Sequence, residues 1–83
     1  MNRQYLLQND DGKNYCCILS AEEDPQEQWE RIFDVKKGYG FSVDVGKNRI
    51  DIVDYYHAET RASFRILSAT DTEEAPTGRL ISL

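Results

Sequence analysis

The alternation of apolar and polar residues divides the chain into short segments. "QYLLQ" (4–8) and "KNYCCIL" (13–19) are β-prone runs. The "NDDG" between them is a hairpin signal, because glycine takes the positive φ that a tight turn needs. From Tyr39 to Val45, Phe41, Val43 and Val45 alternate with Ser42 and Asp44, the pattern of a half-buried strand. "GKN" (46–48) is a turn, and "RIDIVDYYH" (49–57) is the return strand of a second hairpin. In it Ile50 and Ile52 share one face and Val53 and Tyr55 the other, a change of phase compatible with a bulge. Residues 62–68, inside "AETRASFRILSA", are read as a strand with Phe64 and Ile66 inward, although Ala58, Ala62 and Ile66 also have helical spacing. "TDTEEAPTG" is a polar loop, and "RLISL" returns to the sheet as an edge strand.

One segment has helical period. Trp29, Ile32, Phe33 and the Lys36 stem follow i, i+3, i+4, i+7, while Glu27, Glu30, Arg31 and Asp34 fall elsewhere on the wheel. Asp24-Pro25-Gln26-Glu27 marks the start: a capping carboxylate, proline at the first helical position, and an acid at the third. Lys36 and Lys37 complement the dipole at the end, and Gly38 is the expected left-handed cap, which places the end of the helix at Lys37. With 83 residues there is room for one domain. The pattern thus predicts an α+β domain over 1–83: an N-terminal hairpin, one amphipathic helix, then an antiparallel sheet of three to four strands. Trp29, Phe33, Phe41, Val43 and Ile52 form its expected core.

Charge sharpens this picture. The formal net charge is −5, and residues 22–34 hold six acids (Glu22, Glu23, Asp24, Glu27, Glu30, Asp34) against one base, Arg31. Acidity works against non-specific nucleic-acid binding, which depends on basic groups that release counterions from phosphates. The helical acids and a second acid- and tyrosine-rich stretch suit a polar protein interface. The expected partner-binding residues are Glu22, Glu23, Glu27, Glu30, Asp34, Asp51, Asp54, Tyr55, Tyr56 and Glu59. An array of carboxylates imitates phosphates, so the expected partner is a basic protein surface, that of a nucleic-acid-binding protein included. In size, charge and lack of catalytic motifs the chain resembles small phage-encoded inhibitors of host defence, such as anti-CRISPR proteins, and some toxin-immunity proteins. That resemblance implies a non-enzymatic inhibitor in the cytoplasm of a bacterial host.

Lys37-Gly38-Tyr39-Gly40-Phe41 supports an alternative. It resembles the Lys-Gly-Phe-Gly-Phe core of cold-shock domains and a signature strand of RNA-recognition motifs, where such aromatics stack on bases. The cold-shock likeness extends to Phe33, to Asp51-Ile52-Val53 after a turn, and to "FRIL" at 64–67. Ser42 departs from it, and so does Asp54, which puts an acid where the family has its second aromatic motif. On this reading Lys37, Tyr39 and Phe41 contact single-stranded nucleic acid.

The remaining chemistry is sparse. His57 is the single histidine; Asp54, three residues away, is expected on the opposite side of the strand, which leaves no catalytic pair. No metal-ligand spacing or phosphate-binding loop occurs, so neither metal nor cofactor is expected. Cys16 and Cys17 are adjacent, so one thiol is expected to be buried and the other exposed, without a disulfide. No apolar run approaches a membrane span of roughly 20 residues.

Overall fold

Each β-prone run becomes a strand of one sheet in the computed structural model, which describes residues 1–36 and 38–83. In chain order the elements are β1 (Asn2–Asn9), β2 (Asn14–Leu19), α1 (Pro25–Ile32), β3 (Phe41–Val45), β4 (Arg49–Asp54), β5 (Glu59–Thr72) and β6 (Ile81–Ser82). The sheet is antiparallel, with strand order β3-β4-β5-β1-β2-β6. The fold is therefore α+β, as predicted, but with more sheet: the two hairpins join one six-stranded sheet through β5. The ambiguous segment is a strand, and at 14 residues it is twice the predicted length.

β5 makes the two halves one sheet. Its first half pairs with β4 and its second half with β1, and only Phe64 and Arg65 pair on both sides. Two bulges twist it. Arg61 is the extra residue between the Ile52–Ala62 and Val53–Thr60 pairs, and Leu67 is the extra residue between Leu6–Ser68 and Leu7–Ile66. The phase change read in the 49–57 stretch is thus a bulge carried by the partner strand.

Alternation then sorts the residues. Leu7, Cys17, Leu19, Val43, Ile50 and Ile52 face α1 and form the buried core with Trp29. Trp29 meets Tyr5 edge-on at 5.1 Å and stacks with Phe33 at 5.9 Å, and Phe33 leans on Phe64 at 5.0 Å. Phe33 is half-buried and packs against this core, as predicted, whereas Phe41 is 39 % exposed and lies outside it. Phe41 lies beyond the reach of the short helix, and only Val43 of that strand is covered. The other face of the sheet carries Gln4, Gln8, Ser42, Asp44, Asp51, Ser63 and Arg65, together with the apolar Leu6, Ile18 and Val53, of which Ile18 is buried.

The helix begins as read and ends early. Asp24 Oδ2 accepts from the Glu27 amide at 3.3 Å, and Pro25 is the first helical residue. It stops at Ile32 rather than Lys37. The Asp34 amide donates to the Arg31 carbonyl at 3.2 Å and Val35 to Glu30 at 2.9 Å, with Asp34 at φ 54. This pair of bonds is a Schellman closure in which aspartate takes the left-handed position usual for glycine. Gly38 is left-handed too, but six residues past the last helical one. Lys37 lies outside the described residues.

Buried Gln28 fastens the preceding loop. Its Oε1 accepts from the Ser20 amide at 2.7 Å, and its Nε2 donates to the carbonyls of Ser20 at 2.9 Å and Glu23 at 3.1 Å. Cys17 is fully buried and Cys16 half-buried rather than exposed, both free; burial along β2 does not alternate, because Cys17, Ile18 and Leu19 are all buried. No helix among the described residues is long and apolar enough to cross a membrane.

Candidate functional site

Two stretches read separately in the sequence meet at one end of the sheet. The loop before β3 carries Tyr39, and the β4–β5 turn carries Tyr55 and Tyr56. The Tyr55 amide donates to the Gly40 carbonyl at 2.9 Å, which extends the β3–β4 ladder into both loops. Tyr39, Tyr55 and Tyr56 are 73 %, 64 % and 82 % exposed, and Phe41 lies beside them. The loops that carry the tyrosines assigned to a protein partner and the aromatics assigned to nucleic acid are therefore neighbours.

Glycine makes the junction possible. Gly40 has φ +87, and a Cβ there would stand 2.5 Å from Cε2 of Tyr56. The Tyr56 ring lies against the backbone of the neighbouring loop, which orients a side chain that is otherwise open to solvent. Beside it Phe33, Val35, Lys36, Tyr39, Phe41 and Ile52 line a groove of about 410 Å³, with Asp34 at its rim. Lys36 Nζ stands 6.0 Å from the centroid of the Tyr39 ring.

Asp54 holds the turn, and here the structure overturns two expectations. It is not a surface acid for a partner: it is 4 % exposed. Nor do Asp54 and His57 diverge, because β4 ends at Asp54 and the chain turns back. Asp54 Oδ1 accepts from the amides of Tyr56 at 3.0 Å and His57 at 3.3 Å. Its Oδ2 meets His57 Nδ1 at 2.8 Å and accepts from Arg61 Nη2 at 2.9 Å. The bulge at Arg61 aims that guanidinium inward, the re-aiming that bulges provide. Hydrogen bonds from Arg61 first, and from His57 next, hold the Asp54 carboxyl well below the usual carboxylate range. Asp54 in turn raises Arg61. With Nδ1 turned to Asp54, His57 presents Nε2 to solvent. Among the described residues no hydroxyl or thiol hydrogen-bonds to the imidazole ring.

The other predicted acids divide. Glu22, Glu23 and Glu27 lie exposed around the start of α1, and Glu23 pairs with Arg31 at 3.1 Å. Asn2 joins this loop to the end of β5: its Oδ1 accepts from the Ala21 amide at 3.2 Å and its Nδ2 donates to the Glu74 carbonyl at 2.8 Å. Asp71, Glu73 and Glu74 are thereby added to one acidic end, where Arg3 pairs with Asp71 at 2.9 Å. Charge counting along the chain does not find this, because the two stretches lie some fifty residues apart. Glu30 is half-buried on α1. Asp34 is away from the acidic end, beside the aromatic groove. Glu59 is exposed and pairs with Arg61 at 3.4 Å. Asp51 is half-buried on the face away from α1, bonded to Ser63 and 3.5 Å from Arg49 Nε.

Compared with protein-family models, curated proteins and solved structures, the chain has no match.

Proposed function

We propose that this protein is a non-enzymatic binding module that docks on a basic macromolecular partner. The observation that carries the reading is the adjacency of the two loops that expose Tyr39 and, across the Tyr55–Gly40 hydrogen bond, Tyr55 and Tyr56, next to a groove lined by Tyr39 and Phe41. Tyrosine gives large contact area at low entropic cost, and aromatic side chains dominate interface energetics. Asp54 and Gly40 fix the loops that carry these rings, so little ordering remains to oppose binding. The acids at the far end supply a field that attracts a basic partner and speeds encounter. Among basic partners a nucleic-acid-binding protein fits best, with the carboxylates in the place of phosphates, and occupation of its groove would inhibit it.

A second reading draws on the same rings. Tyr39 is exposed, with a lysine ammonium near its ring, so single-stranded nucleic acid is its natural alternative ligand. Phe41, however, shares its face with Val43, on the side of the sheet that α1 covers. The aromatics thus do not form the open-sheet platform of an RNA-recognition motif.

Affinity capture from a host lysate, with and without nuclease treatment, followed by measurement of the captured partner, tests the proposal. Replacing Tyr39, Tyr55 and Tyr56 with Ser should abolish capture. Replacing Glu22, Glu23 and Glu27 with Gln should slow association and flatten its salt dependence. Capture that vanishes after nuclease treatment favours the second reading. A protein partner whose affinity neither set changes refutes the first.

A further inference from the structure

Two arginines stand directly opposite each other on the face of the sheet away from α1. Arg49 of β4 is the cross-strand partner of Arg65 of β5, and Arg65 is in turn the partner of Gln8 of β1. The three form a straight row across three strands. The Ile66 amide donates to the Asn48 carbonyl at 2.8 Å, which makes the next pair, Arg49–Arg65, a non-hydrogen-bonded one. In such pairs the side chains stand closest, and like charges there repel.

Arg49 has a carboxylate partner and Arg65 has none among the described residues. Arg49 engages Ser63 and lies 3.5 Å from Asp51 Oδ1. Arg65 donates to the neutral Gln8 Oε1 at 2.6 Å and pairs with no carboxylate among the described residues. The row forms the floor of a cavity of about 380 Å³ between the β1–β2 and β3–β4 turns, walled by Asn9, Gly12 and Asn48. Asp10 is the one acid that lines it. The β1–β2 turn also carries Asp11 and Lys13, and the β3–β4 turn Lys47. Arg65 thus brings a positive charge without a carboxylate partner among the described residues into a recess of a chain whose net charge is −5. Net charge acts weakly there, because at physiological salt a field is screened beyond about 8 Å.

We propose that the Arg49–Arg65–Gln8 row is a binding site for a small phosphate monoester. Two adjacent guanidinium forks need an anion with more than one edge of oxygens. A carboxylate has one such edge, whereas the terminal oxygens of a monoester bridge both forks, and each fork binds in the bidentate geometry that arginine favours. Asn48 also lines the recess, while Gln8 Nε2 donates to the Gly12 carbonyl at 3.5 Å. A bound dianion also converts the repulsive pair into an attractive cluster. The site is on the face away from α1 and does not depend on the aromatic surface.

Thermal unfolding and amide NMR of the full chain, titrated with inorganic phosphate and with a nucleoside monophosphate, test it. The unfolding midpoint should rise with the logarithm of phosphate concentration. Amide shifts should concentrate at Asn9, Gly12, Asn48 and Arg65. Arg65→Gln is the informative variant, because Arg65 makes one side-chain contact and its loss leaves the Arg49–Ser63–Asp51 network in place. It should weaken phosphate binding by about tenfold or more. Equal effects from sodium chloride at matched ionic strength overturn the proposal, as does unchanged binding by Arg65→Gln. Binding of a short single-stranded RNA at these residues without binding of the monoester also overturns it.

Discussion

Asp54 Oδ2 lies 2.8 Å from Nδ1 of His57, and the same carboxylate accepts two amides of the turn that carries Tyr55 and Tyr56. One buried acid therefore shapes the surface on which the proposed partner docks. Its carboxyl is lowered, chiefly by Arg61 and then by His57. A lowered folded-state value means that the stabilisation is complete above about pH 4 and is lost as the pH falls from there. Asp54→Asn should be less stable than wild type at neutral pH, with a shallower loss of stability below about pH 4. Urea unfolding at a series of pH values checks this. Parallel profiles would remove Asp54 as a source of acid sensitivity.

Gly40 and Gly38 provide an internal comparison. Both have positive φ, but a Cβ on Gly38 meets nothing within 4 Å, whereas one on Gly40 meets the Tyr56 ring. Gly38→Ala should cost about 1–2 kcal/mol, the left-handed penalty alone. Gly40→Ala should cost more, because the ring must also move. In a Tyr56→Ala background the two should become equal. Chemical denaturation of the four variants measures the difference, and equal costs in the wild-type background would show that the ring does not press on Gly40.

Gln28 is a buried amide that both accepts and donates. Gln28→Ala leaves the Ser20 amide and the two carbonyls without their partner and should cost roughly 1–3 kcal/mol. Gln28→Glu keeps an acceptor for Ser20 but turns a carboxylate towards two carbonyl oxygens, so it should be the worse of the two at neutral pH. Equal stabilities would show that the loop relaxes around the change.

The two thiols should react unequally. Burial first, and the neighbouring Cys16 second, push the Cys17 thiol up to about 12. Iodoacetamide near pH 8 should label Cys16 first and Cys17 only as fast as the sheet opens. Peptide mass mapping over time separates them. Simultaneous labelling would place Cys17 outside the core.

The local structure was legible where one physical cause acted alone. Asp24-Pro25 gave the start of the helix, and the alternation at Phe41–Val45 gave β3. The end of α1 was hidden because Asp34 takes a conformation that the pattern assigned to Gly38. Phe41 has the right phase for the core but extends past the helix, and phase does not report where cover ends. Asp54 was misplaced for a related reason: alternation holds along a strand, and here the strand stops at the residue in question. The aromatic surface and the acidic end both depend on which loops become neighbours. β5 decides that by inserting between β4 and β1, and no local pattern encodes the insertion.

That insertion has a consequence for how the chain is made. Both hairpins, and the helix between them, leave the ribosome before β5 exists. Until Thr72 has emerged, β1 and β4 each present an unpaired edge, the side on which β5 will later lie. Domains fold from the N-terminus as synthesis proceeds, but here the sheet offers no β1–β4 pairing, so before β5 the two hairpins share the cover of α1 and no ladder. Assembly waits for a single late strand that zips two ribbons together. A chain arrested before residue 59 leaves the inner edges of both hairpins open as well as their outer ones and has no seam, which is the form in which this sequence is most exposed to pairing with a stranger.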